Sequence, residues 1–387
     1  MPALLRNFAL HMQGDLTLSI LGGGQLGRML LQEAINFNIS CRVLDPDAHA
    51  PCKELSSEFV CGSLSDFDTV YQFGKQLDAL TIEIEAVNVD ALEQLEKEGV
   101  KVYPTPAAIR IIKNKILQKQ FYADQEIPTA AFHITQHSSD LLNHIQFLPA
   151  VHKLGEGGYD GKGVQVLNSE ADIELGFNAP SVLEQKVKIS KEIALIVAMN
   201  AKGETVIYPP AEMIFDPVYN LLDYQISPAK LEEQQLWKAQ AIARKVITGL
   251  KSPGLFAVEL FIDREGDVWV NETAPRVHNS GHHTIEANYS SQYDMLWRIL
   301  LNLPLGNPNE ILPSAIVNLI GAEGYSGSVV YEGLDEVLKM ENVFVHLYGK
   351  TTTKPGRKMG HVTIISKDYL DLTHKANKIK HTLKVIA

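Results

Sequence analysis

The sequence predicts an α/β protein in three parts: a parallel α/β domain, a middle domain richer in antiparallel strands, and a small β-rich C-terminal domain. Three observations carry this. Apolar runs alternate with helix-period segments up to about residue 103, strand runs follow one another across polar and glycine turns in the middle, and the C-terminal strand runs are closed by one helix.

In order, residues 16–21, 41–44, 59–60, 79–84 and 100–103 read as strands, with helices over 25–37 and 91–97 between them. Pro104-Thr105-Pro106 interrupts the pattern, and 107–122 resumes as one helix carrying Lys113, Lys115 and Lys119. This places the first domain at 15–112, behind an N-terminal extension at 1–14. In the second domain, 113–306, strands at 150–154 and 164–167 flank a glycine loop at 155–163. Further strands at 181–184, 191–199 and 204–208 and a helix over 230–250 lead to a hairpin over 258–272. Leu303-Pro304-Leu305-Gly306-Asn307-Pro308 reads as a linker. The third domain, 307–387, then has strands at 314–320, 343–348 and 361–366 and a helix from Tyr369.

A net charge of −11 argues against non-specific nucleic-acid or anionic-membrane binding, so an anionic ligand needs a local cationic cluster. Three cysteines without metal-type spacing read as reduced thiols of a cytoplasmic protein. No run reaches the ~18 apolar residues that a spanning helix needs.

Chemistry concentrates in Asn271-Glu272-Thr273-Ala274-Pro275-Arg276-Val277-His278-Asn279-Ser280-Gly281-His282, directly after an apolar strand. If the hairpin pairs about the middle of its loop, Glu259 lies opposite Glu272 on one face. Like charges across a ladder persist where one is protonated or a cation sits between them, and carboxylates with an amide oxygen suit Mg²⁺. A solvated edge pair is the ordinary alternative; the apolar Val258, Leu260, Val268 and Val270 around them favour the metal.

Gly22-Gly23-Gly24-Gln25-Leu26-Gly27 follows a strand, opens a helix and has Asp45 at the end of the next strand, which fits a dinucleotide-binding turn or a tight packing turn equally. The loop Gly155-Glu156-Gly157-Gly158-Tyr159-Asp160-Gly161-Lys162-Gly163 lies between two strands, which excludes P-loop geometry but suits a mobile cover over a polyphosphate, with Lys153 and Lys162 supplying charge. Glu184-Gln185-Lys186-Val187 ends a strand, and Glu192 follows on the next; backbone there can read an adenine edge while a carboxylate holds a ribose. Lys350, Lys354, Arg357, Lys358 and His361 surround Pro355-Gly356, either a solvated loop or an anion cradle with Arg357 as its bidentate ligand.

Taken together, Lys153, the 157–163 loop, 184–187, Glu259 and 271–282 resemble the ATP-grasp superfamily. Within it, Gly157-Gly158-Tyr159-Asp160-Gly161-Lys162-Gly163, the 271–282 motif and Lys354-Pro355-Gly356-Arg357-Lys358-Met359-Gly360-His361 resemble the 5-(carboxyamino)imidazole ribonucleotide synthetases. The resemblance runs from about Leu16 onward. It implies an ATP-grasp fold with a Rossmann-like pre-ATP-grasp domain, and an ATP- and bicarbonate-dependent ligase of purine biosynthesis acting on aminoimidazole ribonucleotide, with Mg²⁺, as a homodimer. By matching position, Lys115, Lys153, Gly158, Tyr159, Asp160, Gly161, Lys162, Gly163, Val164, Glu184, Gln185, Lys186, Val187, Glu192, Asn271 and Glu272 would hold ATP, and Glu259 and Glu272 the metal. Gln25, Glu83, Asn279, Lys350, Arg357 and Lys358 would hold the ribonucleotide, by analogy with formate-dependent glycinamide ribonucleotide transformylase. Arg276 would hold bicarbonate or carboxyphosphate, with His278 and Lys350 as the other catalytic groups.

Gly155 and Phe215 depart from the family, which often has a basic residue and a histidine there. The segments 81–86 and 254–261 look more like the transformylase, which is the alternative reading. A nicotinamide oxidoreductase would rest only on the Gly22 turn and Asp45, and a non-catalytic nucleotide sensor would not need both metal carboxylates and the lysines.

Overall fold

The computed structural model describes residues 16–158, 163–215 and 222–387; the 1–14 extension and Tyr159, Asp160, Gly161 and Lys162 lie outside the described residues. The first domain is a five-stranded parallel sheet of β1 (Leu18–Leu21), β2 (Cys41–Asp45), β3 (Glu58–Cys61), β4 (Ala79–Ile82) and β5 (Lys101–Val102), in the order β3-β2-β1-β4-β5. Strands β1 and β4 are buried at every position, as a parallel sheet covered on both faces requires.

Helix α1 (Gln25–Asn36) buries Leu26, Met29, Leu30 and Ala34, the spacing of one helical face. Its partner comes from far along the chain. Trp297 donates its indole N–H to the Leu30 carbonyl at 2.8 Å, and the Tyr293 hydroxyl lies 3.3 Å from the Met29 sulfur. The first domain and the central domain therefore share one apolar core, in which Trp297 is fully buried. Helices α2 (Phe67–Gly74) and α3 (Val89–Lys97) start at Asp66 and Asn88, whose side chains accept the Thr69 and Ala91 N–H groups. The single helix expected over 107–122 is two, α4 (Pro106–Lys113) and α5 (Lys115–Asp124). Asn114 breaks it in extended conformation, its amide oxygen capping the Ile116 and Leu117 N–H groups. That break aims Lys115 from the first position of a helix.

A four-stranded antiparallel sheet combines β6 (Phe132–Thr135), β7 (Ala150–Leu154), β8 (Val164–Leu167) and β9 (Ser181–Gln185) in the order β6-β9-β7-β8. The nine-stranded sheet holds β10 (Ile189–Met199), β11 (Thr205–Ile207), β12 (Ala211–Phe215), β13 (Leu222–Ser227), β14 (Gly254–Asp263), β15 (Val268–Ala274), β16 (Ser314–Ile320), β19 (Val343–Leu347) and β21 (Lys358–Ile365). The two-stranded pairs are β17 (Gly327–Ser328) with β20 (Thr352–Thr353), and β18 (Val330–Glu332) with β22 (Lys384–Ile386). Strand β15 forms one end of the large sheet, and pairing of β13 with β16 carries the C-terminal strands into it. Helix α6 (Glu233–Leu250) covers β10 and β14 with Ala239, Ile242, Ala243, Val246 and Ile247. After β15 come the short α7 (Thr284–Ala287) and α8 (Gln292–Leu300); α9 (Leu334–Leu338) and α10 (Tyr369–Thr382) pack on the C-terminal strands. No helix among the described residues is long and apolar enough to cross a membrane.

Candidate active site

Antiparallel pairing of β14 with β15 sets Glu259 directly across from Glu272, and a bulge beside that pair displaces Asn271 from the ladder. Burial, followed by the charges of Glu272 and Glu192, pushes the Glu259 carboxyl up to about 8. Lys115, at 2.7 Å, holds Glu272 well below the usual carboxylate range. Burial and mutual repulsion thus push the two carboxyls apart in acidity, with the Lys115 ammonium favouring the charged form of Glu272. With the Asn271 amide nearby, the donors are all oxygens, a set that fits Mg²⁺. His278 brings Nε2 to 3.6 Å from Glu259 and Nδ1 to 2.9 Å from the Ser280 hydroxyl.

Behind this hairpin, Lys153 on β7 reaches Asn271 at 3.0 Å and Glu184 at 3.1 Å. The other oxygen of Glu184 meets Lys119 at 3.0 Å, and Lys119 also donates to the Thr129 hydroxyl at 2.6 Å. Glu184 stays ionised between the two ammonium groups, and burial brings Lys119 down to about 8. The Glu184 carboxylate is therefore engaged by lysines. The half-buried Glu192 is raised by burial to about 7, while Gln185 and Lys186 are exposed and Val187 half-buried along the adjoining chain.

The stem of the glycine loop is fixed at Gly155, whose N–H donates to Pro180 O at 2.9 Å and whose carbonyl accepts the Lys115 N–H at 2.7 Å. A Cβ there would sit 2.9 Å from that same Pro180 oxygen, so a side chain at this position requires the stem to move. Glu156 is tied to Asn114 at 2.9 Å, and Gly157 and Gly163 take φ of 81° and 78°, left-handed values that favour glycine. Gly158, Gly163 and Val164 thus stand at the two ends of the loop tip.

A cleft of about 510 Å³ gathers Gln25, Glu83, Lys115, Glu272, Arg276, His278, Asn279, Lys350, Arg357 and Lys358. Every residue expected to hold the ribonucleotide lines it, together with all three expected catalytic groups; Lys153, Glu184, Glu192, Glu259 and Asn271 lie outside its lining. Lys350 bonds Gln25 and the Lys358 carbonyl, each at 2.7 Å, closing the cleft between the first domain and the C-terminal strands. Arg357 is steadied by the Thr352 carbonyl and hydroxyl at 2.8 and 2.9 Å.

The glycine turn does not offer a dinucleotide site. Glu83, at the end of β4, accepts the Gly24 and Gly27 N–H groups at 2.9 and 3.1 Å, and Asp45 accepts that of Gly23 at 2.6 Å. The helix start that would attract a pyrophosphate is filled by a carboxylate of the chain itself. Burial raises Glu83 to about 7 despite those bonds.

Sequence reasoning placed Lys119 on its helix but gave it no part in the site, although it sits one helical turn after Lys115. It missed Glu85, which holds Arg276 at 2.9 Å, and the buried amides Gln118 and Gln292. No local pattern marks such residues, because their partners lie far away in the chain.

Three family models match in chain order: the ribonucleotide synthetase preATP-grasp domain over 16–113, the ATP-grasp domain over 120–293, and the phosphoribosylaminoimidazole carboxylase C-terminal domain over 314–375. The chain is 35% identical to the chloroplastic phosphoribosylaminoimidazole carboxylase of Vigna aconitifolia over 91% of its own length but only 64% of that protein's, so it spans somewhat under two thirds of this relative. The crystal structure of N5-carboxyaminoimidazole ribonucleotide synthetase from Thermotoga maritima superposes with a TM-score of 0.88 at 36% identity, covering 96% of this chain and 99% of that one. That of the Aspergillus clavatus N5-carboxyaminoimidazole synthase in complex with ADP and 5-aminoimidazole ribonucleotide does so with a TM-score of 0.86 at 32% identity, covering 95% and 98%. With the three domains in this order and the two carboxylates, lysines and anion-binding groups in place, the chain belongs to the N5-carboxyaminoimidazole ribonucleotide synthetase family of ATP-grasp proteins.

Proposed function

We propose that the protein uses ATP and bicarbonate to carboxylate the exocyclic amine of 5-aminoimidazole ribonucleotide, releasing ADP and phosphate. One observation carries this reading: the cationic cradle of Lys350, Arg357 and Lys358 opens into the same cleft as Arg276, His278 and Glu272. A ribonucleotide phosphate held in the cradle would therefore extend its ring toward the phosphoryl-transfer groups.

Bicarbonate is a poor electrophile, so one of its oxygens must first displace ADP from the γ-phosphorus to give carboxyphosphate. Lys115 and Lys153 stand where charge spreads over the transferring group, and Glu259, Glu272 and Asn271 would hold Mg²⁺, which neutralises that charge when bound. Arg276, held by Glu85, is the ligand for bicarbonate or carboxyphosphate. The amine then attacks the activated carbon, phosphate leaves and the amine loses a proton; His278 orients the amine or accepts that proton. Closure of the 155–163 loop would keep water out during this step. A cytoplasmic homodimer completes the reading, on the strength of the family resemblance.

The test is ADP release from Mg²⁺-ATP and aminoimidazole ribonucleotide, with and without bicarbonate, beside formate plus glycinamide ribonucleotide. Release in the first mixture alone, with bicarbonate carbon in an acid-labile product, supports the reading. Turnover only with formate would move the protein to the transformylase activity.

A further inference from the structure

Glu272, Arg276 and His278 sit on one short stretch of chain, and that stretch has little sheet to hold it. Strand β15 ends the nine-stranded sheet; among the described residues its outer edge carries an isolated parallel bridge of Thr129 with Val270, short of Glu272, and its last pair with β14 is Ala257 with Ala274. The chain then runs on to His278 outside any ladder. Backbone groups left in this way require partners from elsewhere.

Two buried amides supply them. Gln118 of α5, 5% exposed, accepts the Thr273 N–H at 3.3 Å and donates to the Thr273 carbonyl at 3.2 Å and to that of Ile112 at 3.0 Å. Gln292, the first residue of α8 and wholly buried, accepts the His278 N–H at 2.9 Å and donates to the His278 carbonyl at 2.8 Å. Each side chain reproduces the paired N–H and C=O of a missing strand. The amide orientation is forced, since only an oxygen can face the His278 N–H and only an NH₂ its carbonyl.

The surroundings are shaped to keep Gln292 in place. Its backbone N–H donates to the Thr284 hydroxyl at 2.9 Å, and that hydroxyl donates to the Gly281 carbonyl at 2.6 Å. A Cβ at Gly281 would lie 2.5 Å from the Gln292 amide oxygen, so glycine is needed there for the amide to approach.

We infer that Gln292 and Gln118 are positioning residues, surrogate strand partners that fix the 272–278 segment and so set where Arg276 and His278 meet the ribonucleotide and the carboxyl donor. Gln292 is the sharper case, because it clamps the His278 peptide itself. The inference rests on the proposed carboxylation for its readout but not for its geometry.

The decisive variant is Gln292→Glu. A charged carboxylate can still accept the His278 N–H but repels its carbonyl, whereas a protonated carboxyl again offers one acceptor and one donor. His282, a titratable group beside that amide with Nδ1 at 3.4 Å, is held well below its ordinary pKa by burial. Because the site is buried, the carboxyl holds its proton to a higher pH than an exposed one. With full-length protein and saturating ATP, aminoimidazole ribonucleotide and bicarbonate, kcat at pH 8.5 should fall by about 100-fold, the scale of a 1 Å misplacement. The KM for ATP should hold within about twofold, and the ratio of variant to wild-type kcat should climb as the pH falls to 6.5.

Gln292→Met, of similar size and without polar atoms, should lose kcat to a like extent with a pH-independent ratio. A merely structural role predicts for Gln292→Glu a kcat per folded molecule, with the folded fraction measured at each pH, equal to that of the wild type, and that result overturns the inference. Should Gln292→Glu fail to fold, Gln292→Met decides: a wild-type kcat refutes, and a kcat loss at unchanged ATP KM supports. Absence of ribonucleotide-dependent turnover in the wild-type protein would instead count against the proposed function.

Discussion

Replacing Lys119 by methionine tests how the proposed nucleotide side of the site is held. Lys119 and Glu184 are 3% and 5% exposed and lie 3.0 Å apart, with Lys153 on the second Glu184 oxygen at 3.1 Å. Removing one member of a buried ion pair costs roughly 3–5 kcal/mol, since it strands the other charge. Glu184 keeps Lys153, which puts the loss near the low end, about 3 kcal/mol, and part of that includes the lost bond to Thr129. Adding Glu184→Gln removes the stranded charge, so the double variant should recover about 2 kcal/mol of the summed single losses. The assay is hydrogen exchange of the Ser181–Gln185 amides at increasing urea, which reads the opening of the strand carrying Glu184. With Lys119 gone, Glu184 draws harder on Lys153, and the KM for ATP should rise by roughly tenfold. A Lys119→Met loss below about 1 kcal/mol, or strictly additive losses in the double variant, would refute the reasoning.

Other consequences follow from the same geometry. Glu272→Gln should lower Mg²⁺-dependent ATP turnover by about 100-fold or more, as measured by ADP release; full turnover would move the metal elsewhere. Arg357→Ala should raise the ribonucleotide KM by roughly 10- to 100-fold, the scale of a lost charged hydrogen bond, and leave the KM for ATP unchanged. Glu83, 8% exposed, has its folded pKa raised to about 7 from an ordinary 4.5, so the fold holds the extra proton between those values. Its contribution to stability is complete below about pH 4.5 and is lost as the pH rises through 7, by at most roughly 3 kcal/mol. The wild-type-minus-Glu83→Gln difference in melting temperature, compared at pH 5 and pH 8, should show that slope. Trp297→Ala should cost roughly 3–5 kcal/mol by opening the core shared by α1 and α8, read as a drop in melting temperature.

What the sequence made legible follows the range of each interaction. Local patterns marked the strands of the first domain, the glycine hairpin and the Glu259–Glu272 pairing, because alternation and turn length fix register within a few residues. Strands β6, β12 and β13 were not read: Phe132–Thr135 and Leu222–Ser227 do alternate apolar and polar residues, but over only 4 and 6 residues, and their place is set by neighbours in the sheet. The helix expected over 107–122 hid a break, because Asn114 reads as a neutral interior residue until its side chain is seen capping the turn after it. The motif 271–282 announced the site, but the side chains that aim it, Gln118, Gln292 and Glu85, come from other elements and have no spacing to betray them.

The glycine turn shows how the same local signal can end in two functions. A glycine-rich strand-to-helix turn creates free N–H groups at a helix start, and any anion can take them. Here Glu83 takes those of Gly24 and Gly27 from within the fold, leaving Gln25 on the cleft side to meet Lys350. The opposite logic holds for the cations. Lys115, Lys153 and Arg276 are already held by Glu272, Glu184 and Glu85. In a chain of net charge −11, each of these cations has a resident carboxylate, with which an arriving phosphate or carboxylate would have to compete. On the proposed reading, binding would be an exchange of anions at each cation, with Glu272 released from Lys115 and so freer to take a metal at the step in which a nucleotide phosphate takes its place.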